Sequence, residues 1–146
     1  MIRPHTVIFC QKVEMLAGNQ PLIMRPYPGG VAVGPAKDQA LVFDVYTALQ
    51  ADAPGTYVID MRFLTPGGVA CAEQLGMPVR IDDAEVQSQL SIHGIHCPVD
   101  RGGSITMQYR VSGTEAWHDA GTLLVRVVAP PEFEGTSFEI PAQAIG

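Results

Sequence analysis

The sequence predicts an all-β fold, an antiparallel β-sandwich of about eight strands with Greek-key or jelly-roll connections. Apolar and polar residues alternate in most segments, which is the period of a strand with one buried face. Turn residues, drawn from fifteen glycines and twelve prolines, interrupt these segments at short intervals. No twelve-residue window shows a convincing helical stripe, and segment 82–85 is expected to form a single helical turn at most.

The first half of the chain contains three strand candidates. Segments 6–14 and 22–25 flank the Gly18-Asn19 turn, so we expect them to be two consecutive strands. Segment 41–50 is better supported, because its odd positions are largely apolar whereas its even positions include Asp44. The glycines of 29–34 fit a phosphate-binding loop only loosely, and we expect a turn that enters a strand.

The second half contains the remaining candidates, of which two show strict alternation. These are 57–63 and 105–111, and the weaker candidates are 69–74, 79–81, 86–95 and 122–128. Residues 55–63 and 103–111 also share one pattern, which predicts that each opens a β-hairpin. There are two interpretations of the shared pattern. It is either a chance match between two amphipathic strands, or it marks a pseudo-symmetric pair of hairpins at corresponding corners of two sheets.

Composition and charge exclude several classes of protein. Apolar residues make up 47% of the chain, enough to form a core, which excludes intrinsic disorder. The formal net charge of −6 would repel a phosphate backbone, so we expect no nucleic acid as a partner. We also expect no membrane association, since no apolar run approaches the ~20 residues of a span and the N-terminus lacks a signal-peptide core.

The cysteine pattern predicts a reducing compartment. Cys10, Cys71 and Cys97 are odd in number and widely spaced, so they form neither a disulfide framework nor a CxxC pair. We expect reduced, buried thiols and a cytoplasmic location, or a location in the virion if the chain is phage-encoded.

The end of the chain differs in character from the rest. After Pro130-Pro131 the sequence contains three glutamates and no basic residue, together with Phe133, Phe138 and Ile140. A double proline favours an extended backbone. We therefore predict a sandwich domain over 1–129 and an acidic, extended C-terminal arm over 130–146, with these three apolar residues as interaction residues.

The densest group of candidate metal ligands consists of histidines. His93 and His96 are three residues apart, so a regular strand would direct them to opposite faces unless a bulge at Gly94 intervenes. His118 is a possible third ligand. The cupin pattern is absent, because it needs an H-x-H pair followed by glutamate. A solvated strand face is the competing interpretation of His93.

Other candidate sites have simpler structural interpretations. Arg62 and Arg110 have outward parity on their strands and are expected to be solvated or to pair across strands. Trp117 lies between two strands, where it would either cap the core or form an interaction site. The carboxylates of 82–85 lack the spacing of a calcium loop and favour a turn. No nucleophilic elbow or other catalytic motif is present, and we expect no cofactor.

The turn and strand pattern resembles a family of uncharacterised bacterial β-sandwich domains. The residues concerned are Gly55, Tyr57, the segment from Arg62 to Gly68, Gly103 to Val111, Ser112-Gly113 and Leu123 to Val127, preceded by a first strand at Thr6 to Glu14. The resemblance covers roughly residues 5 to 128, with Ile105 replacing the expected aromatic residue. Ig-like and C2-like sandwiches look similar. The resemblance implies the fold and no activity.

The sequence therefore predicts a non-enzymatic protein interaction or assembly module. Such a module could be a bacterial or phage-encoded structural protein that oligomerises through its sheet edges and its arm. The alternative is a metal-binding sandwich or metal-dependent enzyme that uses His93 and His96. A small-ligand site near Trp117 is a third hypothesis, which depends on one aromatic residue.

Overall fold

The computed structural model describes residues 1–35 and 38–128, and within them every regular element is a β-strand. The prediction of an all-β fold is confirmed. Segment 82–85 forms a non-helical turn, in which the Asp83 carboxylate accepts a hydrogen bond from the backbone N–H of Glu85 at 2.9 Å. The strands are β1 (Ile2–Leu16), β2 (Gln20–Pro26), β3 (Val31–Val33), β4 (Ala40–Ala51), β5 (Gly55–Leu64), β6 (Ala70–Ile81), β7 (Ser88–Pro98), β8 (Gly103–Val111) and β9 (His118–Val127).

The strands form two sheets that pack face to face as a β-sandwich. The first sheet has the order β2-β1-β4-β7, and the second has the order β3-β9-β8-β5-β6. All pairs are antiparallel except β3 with β9, which is parallel. The chain therefore changes sheet five times, at β2 to β3, β3 to β4, β4 to β5, β6 to β7 and β7 to β8.

The core lies between the two sheets and is filled from the predicted alternating positions. Phe43 is fully buried at its centre, with its ring centroid 5.6 Å from that of Phe9 and 5.8 Å from that of Phe63 on the opposite sheet. Its fully or almost fully buried neighbours are Val45, Leu49, Ile59, Met61, Ile105, Met107, Leu123 and Val125. Both sheets therefore contribute the large apolar residues that hold the sandwich together.

Each sheet contains one β-bulge that places an aspartate opposite a glycine. In the first sheet Asp44 faces the bulge at His93-Gly94, and in the second Asp60 faces the bulge at Leu75-Gly76. The two glycines adopt positive φ angles of 66° and 67°, a conformation that favours glycine at this position. Each aspartate accepts the glycine N–H, at 2.9 Å for Gly94 and 2.8 Å for Gly76.

These bulges correct the predicted strand boundaries. The candidates 69–74 and 79–81 are one strand, β6, because Gly76 forms a bulge and the pairing with β5 continues beyond it. The pattern shared by 55–63 and 103–111 does not mark corresponding corners of two sheets. These segments are β5 and β8, which pair with each other in one sheet, and each opens a hairpin as predicted.

Replacing Gly30 with alanine should destabilise the protein by roughly 1–3 kcal/mol, the cost of strained backbone at such positions. Gly30 has a φ of 97°, and a Cβ there would lie 2.6 Å from the backbone oxygen of Leu124. Because that oxygen belongs to β9, the clash would push the following strand β3 away from its partner. Urea unfolding would measure the loss.

Gly29→Ala is the matched control, because no atom lies within 4 Å of a Cβ at that position. We expect it to change the free energy of unfolding by less than about 0.5 kcal/mol. Equal effects of the two substitutions would contradict the described contact between Gly30 and Leu124.

The predicted arm, 130–146, lies outside the described residues, and so do its interaction candidates Phe133, Phe138 and Ile140. Across 1–35 and 38–128, no helix is long and apolar enough to cross a membrane.

Candidate functional site

Trp117 lies against two arginines on the outer face of the second sheet, and we call Arg62, Arg110 and Trp117 the Arg-Trp-Arg cluster. The Cζ atoms of Arg62 and Arg110 each lie 4.2 Å from the centroid of the indole ring. Both arginines alternate with core residues on β5 and β8, so their side chains project away from the core. Cation–π attraction at this distance holds the ring against the sheet.

Asp60 fixes one side of this cluster. It lies directly opposite Arg110 in the strand register and accepts a hydrogen bond from Arg110 Nε at 2.9 Å. The Ser112 hydroxyl donates to it at 2.6 Å, and the Gly76 N–H completes the set. These donors, the Ser112 hydroxyl above all, lower the pKa of Asp60 to about 2. The carboxylate is therefore ionised at neutral pH although Asp60 is only 5% exposed.

Arg62 bonds to a neutral side chain, so no carboxylate among the described residues neutralises its charge. Its Nε donates to Gln108 Oε1 at 2.8 Å, and the Gln108 amide donates in turn to Asp119 at 2.9 Å. Within the described part of the chain Arg62 forms no ion pair with a carboxylate, whereas Arg110 does. The cluster thus combines a partly exposed aromatic ring with one uncompensated cation.

The structure corrects the core-capping prediction for Trp117 and agrees with one of the predictions for Arg110. Trp117 does not cap the core: it is half-buried on the outer face, against the two arginines. Arg110 pairs across strands with Asp60, one of the two expected arrangements, and its side chain is only 25% exposed. The parity of both arginines is visible in the sequence. Their proximity is not, because it depends on β5 and β8 being neighbours in register.

The three histidine candidates do not converge. The bulge at Gly94 places both His93 and His96 on the outer face of the first sheet, since Ile92 and Ile95 on either side pack on the core. His118, however, is on β9 of the second sheet, where its ring lies 5.5 Å from that of Tyr109. Both ring nitrogens of His93 already have partners, Asp44 and Ser91.

A search for groups of three or more His, Cys, Asp or Glu residues that could hold a metal ion finds none in the described residues. All three cysteines are free thiols. Cys10 and Cys97 are buried and Cys71 is partly buried, as expected for most of them. Burial raises the pKa of Cys97, and the neighbouring Cys71 adds to the rise. Burial and the charge of Asp44 also raise the pKa of Cys10, so the thiolate forms that react or bind metals are disfavoured.

Comparison with known proteins adds no assignment to this geometry. The chain matches no protein-family model, and a search of the curated proteins found no match.

Proposed function

We propose that this protein is a non-enzymatic interaction and assembly module whose arm, 130–146, docks on the Arg-Trp-Arg cluster of a second copy. The observation that supports the proposal most strongly is the contact of Trp117 with both Arg62 and Arg110 on an outer face. Tryptophan and arginine are the residues that contribute most often to binding energy at protein interfaces.

The edge strands favour association through a face over strand addition. The edge strand β2 contains Pro21 and Pro26, which have no backbone N–H to donate, and the edge strand β3 is only three residues long. The edge strands β6 and β7 contain the bulges at Gly76 and Gly94, which interrupt a regular pairing surface. Such features protect sheets from edge-to-edge pairing. For this reason we assign association to the cluster and the arm.

The chemistry of the arm complements that of the cluster. The arm contains Glu132, Glu134 and Glu139 interspersed with Phe133 and Phe138, and it contains no basic residue. A glutamate would supply the carboxylate that Arg62 lacks among the described residues. A phenylalanine beside it would bury apolar area against the exposed part of the indole.

The direction of the chain favours docking on a neighbour. Trp117 immediately precedes β9, and the arm follows the end of the same strand, which is ten residues long. At about 3.3 Å per residue the two points are roughly 33 Å apart. The N–H of Val128 bonds to the carbonyl of Val33, so the chain still follows β3 there. To reach its own Trp117 the arm would have to reverse, which Pro130-Pro131 disfavours.

Sedimentation equilibrium of the full chain and of a 1–129 truncation tests the proposal. We expect the full chain to dimerise reversibly and the truncation to be monomeric. Arg62→Gln should weaken the full-length dimer roughly tenfold, a loss of about 1.4 kcal/mol, because it removes the uncompensated cation while Arg110 still contacts Trp117. The effect of Arg62→Gln should shrink at high salt, as expected for an exposed charge pair.

Arg80→Gln is the matched control, since Arg80 is on β6 of the same sheet and its side chain is 79% exposed. It should leave the dimer unchanged. A full-length monomer, or a truncation that dimerises as tightly as the full chain, would overturn the proposal. A monomer whose Trp117 fluorescence changes on truncation would indicate docking within one chain instead.

A further inference from the structure

Ser91, His93 and Asp44 form a hydrogen-bonded relay on the outer face of the first sheet, remote from the Arg-Trp-Arg cluster. Ser91 and His93 are two residues apart on β7, so their side chains share a face. Ser91 Oγ lies 3.0 Å from His93 Nε2, and His93 Nδ1 lies 3.1 Å from Asp44 Oδ2. Each ring nitrogen thus has the partner found in a nucleophile, base and orienting-carboxylate arrangement.

Asp44 is held firmly enough to orient the imidazole. The backbone N–H groups of Val13 and Gly94 donate to its two oxygens, at 3.0 and 2.9 Å, from the strands on either side of β4. Burial alone would raise the pKa of Asp44, but these bonds and His93 outweigh it and lower the pKa. An ionised Asp44 favours the tautomer with a proton on His93 Nδ1. His93 Nε2 is then free to accept the Ser91 hydroxyl proton.

The surroundings of Ser91 indicate which reagent it would accept. Ser91 and His93 line a shallow groove whose opposite wall is formed by residues 12–16 of β1. That wall contains Lys12 and Glu14, which pair with each other at 3.5 Å, and the apolar Met15 and Leu16, which are 38% and 47% exposed. Met15 and Leu16 offer apolar surface to a short acyl chain. The His93 side chain is 56% exposed, so the groove does not exclude water as a closed active site does.

We propose that Ser91 is an activated nucleophile that is acylated by activated carboxylic esters with short apolar acyl chains. In this step Ser91 Oγ forms a bond to the ester carbonyl carbon, and the bond from that carbon to the leaving alkoxide breaks. The serine proton passes to His93 Nε2 and from there to the leaving alkoxide, which departs as the alcohol. The product is an O-acyl serine on the sheet surface, a modification that is compatible with an assembly role.

Incubation with p-nitrophenyl butyrate, followed by intact-mass analysis and peptide mapping, tests this proposal. We expect one butyryl group per chain, located on Ser91. Ser91→Ala should abolish that modification. His93→Gln should slow it by roughly a hundredfold, the lower end of the usual contribution of a positioned general base.

Ser88→Ala is the matched control, because Ser88 is on the same strand and outside the relay. Ser91 of this variant should be acylated at the wild-type rate. Urea unfolding of His93→Gln separates loss of fold from loss of the base. Acylation confined to Lys12 or the N-terminal amine would overturn the proposal. So would acylation of Ser91 at an equal rate in folded His93→Gln, since the relay would then only stabilise the bulge.

Discussion

Phe43→Ala should lower the free energy of unfolding by roughly 3–5 kcal/mol, the usual cost of truncating a buried phenylalanine. Phe43 is fully buried and contacts aromatic rings on both sides, Phe9 in its own sheet and Phe63 in the opposite one. Its removal would leave a cavity at the point where the sheets meet. Urea denaturation monitored by circular dichroism measures this loss.

Phe43→Leu provides the graded control. Leucine keeps much of the buried apolar volume but lacks the edge-on contact with Phe63, so we expect a smaller loss of roughly 1–2 kcal/mol. If alanine cost no more than leucine, the ring would not occupy the centre of the core as described. A loss large enough to prevent folding of Phe43→Ala would still agree with the prediction, provided that Phe43→Leu remained folded and destabilised.

Asp60→Asn should cost roughly 2–4 kcal/mol, because removing one partner of a buried ion pair leaves the other without compensation. Asp60 accepts bonds from Ser112, Gly76 and Arg110. The amide oxygen of asparagine can accept some of these hydrogen bonds, but the amide NH₂ group would face one of the three donors. Arg110 would also lose its counter-ion. The partial exposure of Arg110 keeps the expected cost below that of a fully buried pair.

The effect of Asp60→Asn should depend on pH. The pKa of Asp60 is about 2 in the folded protein, against 3.8 for an unperturbed carboxyl group. Because the folded value is the lower one, the stabilisation by Asp60 is complete above about pH 4 and is lost as the pH falls toward 2. The difference in unfolding free energy between wild type and Asp60→Asn should therefore be large near pH 7 and small near pH 2.

Asp119→Asn is the control on the same face. Asp119 is exposed and accepts a single bond from Gln108, so its replacement should cost less than about 0.5 kcal/mol at any pH. Similar costs for Asp60→Asn and Asp119→Asn would contradict the proposed role of Asp60 as the buried acceptor at the centre of this network.

Much of the fold could be predicted from local patterns. Alternation in 41–50 identified β4 and its core residues Phe43, Val45 and Leu49, because a strand with one buried face must alternate with a period of two. The predicted strand boundaries were wrong between 69–74 and 79–81, where a glycine interrupts the alternation. A glycine with positive φ, such as Gly76, occurs in bulges as well as in turns, and only the pairing with β5 distinguishes the two.

The candidate sites depended on contacts that no local pattern contains. Ser91 and His93 are on one strand, so their shared parity could be read from the sequence, but Asp44 is 49 residues from His93 and meets it only because β4 pairs with β7. Trp117 likewise reaches Arg62 and Arg110 because β5 and β8 are adjacent.

By itself the sequence determined the class of fold, the alternating core positions and the acidic composition of residues 130–146, since each follows from residue type and spacing along the chain. The tertiary structure alone decided which polar side chains meet. Strand order and register are set by the packing of the whole core, and they bring together Asp44 with His93 and Asp60 with Arg110.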